Sequence, residues 1–189
     1  MPSSTLVAMD VVARPLTLDE FFELPYYYAE LIDGQPVVMN TPAGPHQMAA
    51  TRLALMLIPT CPDGYDVLAA PLDWILRGDP RGTVRQPDVM VATIEQLRQV
   101  KLTAPPLLAV EIVSESSIER DLVTKRREYA QAGCAHYWLV VPSRPEIVRL
   151  RLDVATGEYV EVGRVRGDDG PLAIDEPYPM TLDARRLQI

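Results

Sequence analysis

Apolar residues along this chain fall into short dense runs and one stripe at helical spacing. The dense runs, Pro87 to Ala92, Leu107 to Val113 and Tyr137 to Val141, have the length and β-branched content of buried strands. Between the second and third, Ile118, Leu122, Lys125, Tyr129 and Ala132 project onto one face of a helix at about 100° per residue. That helix is expected from Ile118 to Ala132, with Ser116 and Glu119 as a capping box and Gly133 as its stop.

The flanking segments read in the same way. Thr17-Leu18-Asp19-Glu20 has the form of a capping box and predicts a short helix to about Leu24, stopped by Pro25. Tyr26 to Ile32 and Pro36 to Met39, joined by Asp33-Gly34, predict a β-hairpin with Glu30 in its first strand. A helix is expected from about Pro45 to Ile58, with His46 in its first turn. Tyr65 to Leu76 reads as one strand broken near Pro71, and Gly78 to Gly82 as an exposed loop. Ile147 to Leu152 alternates and returns through Ala155-Thr156-Gly157 as Tyr159 to Val162, and a short last strand follows a turn-rich tail. The order predicts an α/β or α+β fold, a mixed sheet with helices packed on it.

The composition narrows the class. With 189 residues, 48% of them hydrophobic, the chain has material for one domain spanning 1–189, in which 1–14 is an N-terminal extension. The apolar run Leu6 to Val12 is interrupted by Asp10, follows no basic segment, and is too short to span a membrane. Two cysteines, Cys61 and Cys134, exclude a disulfide scaffold and fit a reducing cytoplasm. A net charge of -8 argues against a nucleic-acid partner, whose binding rests on basic surface. Carboxylates that bind divalent cations would offset this, and Arg120, Lys125, Arg126 and Arg127 form a local basic group.

Three charged residues stand where the pattern expects a core. Glu111 is the polar residue in the run Leu107 to Val113, close to its C-terminal end, where ligands gather in α/β sheets. Asp88 opens the neighbouring apolar run, and Lys125 lies in the middle of the helical stripe. Buried charges require pairing, hydrogen bonds or a metal ion. Two carboxylates on neighbouring strands suit magnesium or manganese, which prefer oxygen ligands. Structural readings stand beside this one: each acid is salt-bridged or on an exposed edge, and the lysine amine reaches Asp121 one turn earlier instead of a carboxylate site. His46, Cys61, Cys134 and His136 match no common zinc spacing.

An ordered set of motifs joins these residues: Tyr28-Ala29-Glu30-Leu31-Ile32-Asp33-Gly34, Pro87-Asp88-Val89, Glu111-Ile112-Val113-Ser114, Asp121-Leu122-Val123-Thr124-Lys125, Tyr129-Ala130-Gln131-Ala132-Gly133 and Tyr137-Trp138-Leu139-Val140. The set resembles the Uma-two family of restriction-endonuclease-like proteins, within the PD-(D/E)XK nuclease superfamily, over roughly residues 15 to 185. The resemblance implies a restriction-endonuclease-like mixed central sheet flanked by helices, with an additional antiparallel hairpin. It also implies a magnesium- or manganese-dependent endonuclease that hydrolyses phosphodiester bonds, with a nucleic acid, DNA, as partner.

Carried onto this chain, the resemblance makes Asp88 the first metal-binding aspartate, Glu111 the second acidic ligand and the Ile112 carbonyl a third. Val113 stands where the superfamily has its lysine, and Lys125 on the next helix takes that role. Its pKa is expected to fall through burial and a nearby ion. Glu30 resembles an additional catalytic acid that holds a second ion or orients the lysine, and His46 a histidine at the start of the preceding helix. Two departures stand out: Val141-Pro142 replaces an aspartate-proline pair, and Glu115 replaces a proline. An inactive nuclease-fold module and an acidic protein-interaction domain are the alternatives. Enzymes that cut both strands are often symmetric dimers, and the hairpins at Tyr26 to Tyr28 and Ile147 to Val162 offer apolar surface for a homodimer.

Overall fold

The computed structural model describes residues 14–25, 28–114 and 117–188. The extension up to residue 13, the start of the first hairpin strand at Tyr26, and the expected cap at Ser116 with its neighbour Glu115 lie outside the described residues. The first helix, α1 (Leu18–Phe22), carries the expected capping box: the Thr17 hydroxyl accepts from the Glu20 amide and the Glu20 carboxylate accepts from the Thr17 amide. Strands β1 (Ala29–Ile32) and β2 (Gln35–Val38) pair antiparallel around Asp33 and Gly34, both at positive φ as a type I′ turn requires. Helix α2 (Gly44–Leu57) places Pro45 in its first turn, where an absent N–H costs nothing.

The segment read as one broken strand is two strands in different sheets. β3 (Tyr65–Ala69) joins a six-stranded sheet, and β4 (Trp74–Arg77) joins a four-stranded one. The break at Pro71 is therefore a crossing between sheets. The four-stranded sheet has the order β2-β1-β5-β4, in which β5 (Thr83–Arg85) follows the Gly78 to Gly82 loop. The expected free-standing hairpin is thus half of a larger sheet. It is joined by a strand of three residues, too short for periodicity to register.

The main sheet has the order β10-β9-β8-β7-β6-β3, with β6 (Val89–Thr93), β7 (Leu108–Ile112), β8 (His136–Val141), β9 (Glu146–Asp153) and β10 (Glu158–Arg166). Only β7 and β8 run parallel; the other neighbours are antiparallel. This is a mixed central sheet flanked by helices, as the pattern predicts. A short helix α3 (Ile94–Leu97) closes β6 with a Thr93 and Gln96 capping box, and the tail forms a β11 (Leu172–Ile174) and β12 (Met180–Leu182) ribbon in place of one last strand.

A parallel pair requires a crossover, and helix α4 supplies it. It starts with α-helical residues at 118–119, runs as a π-helix over Arg120–Lys125 and continues as an α-helix at Arg126–Gln131. The wider π turns alter the angular positions ahead of Lys125. Ile118 and Leu122, expected on the buried face, are 45% and 42% exposed, while Asp121 turns inward and is buried. Lys125 and Tyr129 keep their inward positions.

One apolar layer packs α2 against Val89, Val110, Ile112, Val140 and Ile147, and the opposite layer packs α4 and Trp74 against Met90, Ala109, Tyr137 and Leu139. Ile147, Leu150 and Tyr159 are consumed by these layers, so the β9–β10 hairpin does not present them as a dimer surface. Cys134 is buried and Cys61 half-buried. No helix among the described residues is long and apolar enough to cross a membrane.

Gly34 stands at φ +79°, and an added Cβ would lie 2.6 Å from the Pro15 Cβ. Gly34→Ala therefore forces both a left-handed backbone onto a Cβ and a clash with the chain entering α1. The expected loss is about 1–3 kcal/mol of stability. Chemical denaturation checks it, with Gly64→Ala as the control, since that glycine is also at positive φ but faces open space.

Candidate active site

Strand pairing brings the two acids together. Val89 of β6 lies opposite Val110 of β7, so Asp88 stands beside Glu111 at the end of the sheet. Asp88 Oδ2 accepts the Ile112 amide at 2.7 Å and lies 3.2 Å from His46 Nε2 at the start of α2. Glu111 is buried; its Oε1 accepts the Tyr129 hydroxyl at 2.6 Å, and its Oε2 lies 2.8 Å from Lys125 Nζ. The lysine amine also lies 3.3 Å from Glu30 Oε1. Of its two candidate targets, the amine takes Glu111; Asp121, also buried, is held by an ion pair to Arg120 at 3.6 Å.

Glu30 comes from β1 of the other sheet and is fixed by Arg85 of β5. Arg85 Nη1 donates to Glu30 Oε2 at 2.7 Å, while its Nε and Nη2 grip Glu128 of α4 at 2.8 and 3.0 Å. The Gln86 amide adds a bond to Glu30 Oε1, and the Gln86 side chain donates to Asp73 at 2.8 Å. Arg85 is fully buried. Sequence reasoning missed Arg85 and Glu128. The available signal was Glu128 one turn beyond Lys125 on the same helix, together with an arginine directly before Gln86-Pro87-Asp88.

Glu30, His46, Asp88, Glu111, Asp121 and Lys125 line one cleft of about 330 Å³, with Ile112, Ser114 and Arg120 beside them. Its charges are unequal in effect. Burial pushes Glu111 up to about 8, reinforced by Asp88 and Asp121 and opposed by Lys125. Burial would raise Glu30 as well, but Lys125 and Arg85 outweigh it and hold its pKa below the ordinary value. Burial would lower Lys125; Glu111, Glu30, Asp121 and Asp88 reverse the expected fall and raise it. The hydrogen bond that His46 donates to Asp88 raises the histidine against its burial, and burial raises Asp121. The lysine is thus held as a cation by its carboxylates, and burial holds Glu111 above the ordinary carboxylate range.

The residues present suit a hard divalent cation. Asp121 Oδ1 is buried without a hydrogen bond, and the acids of the cleft outnumber its permanent cations. Among the described residues, no three Asp, Glu, His or Cys side chains close a metal cage by themselves. Magnesium needs none, because it is commonly held by one or two carboxylates and several waters.

Over residues 18–179 the sequence matches Uma2, a family described as "Putative restriction endonuclease". The chain belongs to the Uma2 family. No sequence among curated proteins matches it. In fold, this Uma2 chain is similar to a crystal structure described as a "putative nuclease belonging to DUF820" from Anabaena variabilis. The TM-score is 0.69 at 18% identity, and the match covers 92% of this chain and 97% of the other.

Two outcomes follow from this geometry. Arg85→Leu strands Glu128 and one side of Glu30, and is expected to cost about 3–5 kcal/mol in denaturant unfolding. In divalent-free buffer, the raised pKa of Glu111 contributes stability that is fully present below its unfolded value of 4.5 and is lost as pH rises through about 8. The thermal midpoint is therefore expected to fall across that window. His46 and Asp121 shift in the same direction, so the comparison with Glu111→Gln isolates the Glu111 share: the variant should show a shallower decline.

Proposed function

We propose that the protein is a divalent-metal-dependent endonuclease that hydrolyses phosphodiester bonds of DNA at the cleft of Asp88, Glu111 and Lys125. The observation that carries this reading is Lys125 Nζ at 2.8 Å from Glu111 Oε2, with Asp88 beside Glu111, in a member of the family described as "Putative restriction endonuclease". Asp88 and Glu111, with the Ile112 carbonyl, are the oxygen donors that would hold magnesium or manganese; Asp121 is a further donor, and Glu30 and His46 stand behind them. When bound, the ion neutralises charge on the scissile phosphate, makes water more acidic and stabilises the departing oxygen.

The chain's own groups do the rest. Lys125, kept charged by its carboxylates, donates hydrogen bonds that orient the attacking water against the phosphate and offset developing negative charge. A lysine with a raised pKa is a poor proton acceptor, so its part is orientation and charge, not general-base catalysis. Glu30, anchored by Arg85, aims the ammonium. His46 restrains Asp88 from the α2 side. Two free cysteines suit such an enzyme to a reducing cytoplasm.

The pairing of Lys125 with Glu111 and Glu30, which takes two of its three N–H donors, also favours a second reading, a nuclease fold retained as a nucleic-acid-binding module. Cleavage decides between them. Lys125→Ala and Asp88→Asn are each expected to lower magnesium-dependent cleavage of duplex DNA by on the order of a hundredfold or more. Calorimetric titration with manganese should lose its saturable signal in Asp88→Asn. Asp88 is half-buried and outside the Lys125 ion pairs, which makes this the cleaner variant for stability. Activity equal to the parent in both variants would sink the assignment of the site.

A further inference from the structure

The cleft described above is poorly suited to attract a polyanion by itself. Four carboxylates line it against Arg120 and Lys125, and the chain as a whole carries -8. A nucleic-acid strand reaching Glu111 needs phosphate contacts elsewhere. The sheet register indicates where to look. Glu111 pairs with Leu139, Leu139 with Val148, and Val148 with Arg164. Two residues further toward the same edge, Val141 pairs with Glu146 and Glu146 with Arg166. Since alternate residues share a face, Glu111, Glu146, Arg164 and Arg166 leave the same face near the same edge of the sheet. From β7 to β10 is three strand spacings, about 14 Å.

At that edge lies a second cavity, of about 680 Å³, lined by four arginines, Arg144, Arg164, Arg166 and Arg185, against two acids, Glu146 and Asp168. Its organising group is Glu146, which is buried. Its Oε2 accepts Arg144 Nη2 at 3.0 Å, and its Oε1 lies 3.1 Å from Arg166 Nε and 3.3 Å from Arg164 Nη1. One cation suffices to compensate a buried carboxylate, and three converge. Arg164 is further occupied by Glu161, in a two-pronged pair at 2.7 and 2.8 Å, and Arg185 is held the same way by Asp183. Asp169 caps the Arg166 backbone amide. Arg144 and Arg166 each give Glu146 one N–H and have side chains 74% and 55% exposed, so most of their five donors remain for an incoming anion.

We propose that Arg144 and Arg166, splayed from the buried Glu146, bind backbone phosphates of the nucleic-acid strand whose scissile bond lies in the Glu111 cleft. The proposal rests on the nuclease reading. Glu146 fixes the two guanidinium groups side by side, where their mutual repulsion is relieved by a phosphate, and the planar donor fork matches phosphate geometry. The contact carries no base information and sets position along the strand. An acidic protein can thereby hold nucleic acid on one edge without a basic surface overall.

Salt dependence tests it. Binding of a labelled DNA duplex is measured by anisotropy in magnesium, on an Asp88→Asn background that suppresses cleavage and leaves the Lys125 ion pairs in place, over a range of potassium chloride. Adding Arg144→Ala with Arg166→Ala is expected to reduce the slope of log K against log salt by about 1.8, near 0.9 for each phosphate that is no longer neutralised. Arg144→Ala alone should remove about 0.9 of slope, and it disturbs the fold least because Arg164 and Arg166 still compensate Glu146. Unfolding midpoints are recorded for each variant. An unchanged slope in folded Arg144→Ala overturns the proposal, and so does a background protein that binds no duplex at low salt. Magnesium-dependent cleavage by the parent is measured separately. Cleavage with unchanged slopes overturns this surface alone, and reduced slopes without cleavage by the parent overturn the enzyme reading while the two phosphate contacts stand.

Discussion

A lysine ammonium buried between two carboxylates is the constraint on which the rest of this structure depends. Removing Lys125, Glu111, Glu30 and Arg85 from water is costly, and that cost is met only if every partner is present at once. Glu128, Arg85, Glu30, Lys125, Glu111 and Tyr129 form one chain of contacts that runs from α4 through the smaller sheet and back to β7. The network therefore does mechanical work as well as electrostatic work, because it ties the four-stranded sheet to the six-stranded one through a helix. Trp74 of the smaller sheet stacks obliquely on Tyr129, with ring centroids 5.0 Å apart, and encloses the network from the apolar side.

Much of this was legible in the sequence. Apolar runs give their strands away because a strand covered on both faces needs no alternation, and α1 and the first hairpin are set by local chemistry that works without tertiary help. Glu111 and Lys125 were visible because each interrupts a pattern that otherwise has no polar residue. Arg85 was not, since Thr83-Val84-Arg85 is too short to establish a period for it to interrupt, and its role depends on partners far along the chain. Asp121 was hidden for another reason. An ideal helical projection puts it beside the stripe, and only the wider π turns bring it inside and turn Ile118 and Leu122 out.

Charge is divided across the molecule in a way that the net figure conceals. The cleft concentrates acids whose excess suits a cation, while the far end of the same sheet edge groups arginines around one buried glutamate. Both are built on the same device, a carboxylate inside the sheet's edge that fixes the direction of a longer cationic side chain. In the cleft the acids outnumber the cations; in the β9–β10 cavity four arginines face two lining acids, and Glu161 and Asp183 pair two of those arginines from outside it.

The π segment of α4 also makes chain length a hidden variable of the site. A turn closed by i→i+5 bonds absorbs one residue more than an ordinary turn. A chain one residue shorter here could close the same crossover with ordinary α-turns and still aim its lysine at the glutamate of β7. In this crossover the count of residues between motifs can change while the geometry they serve is kept.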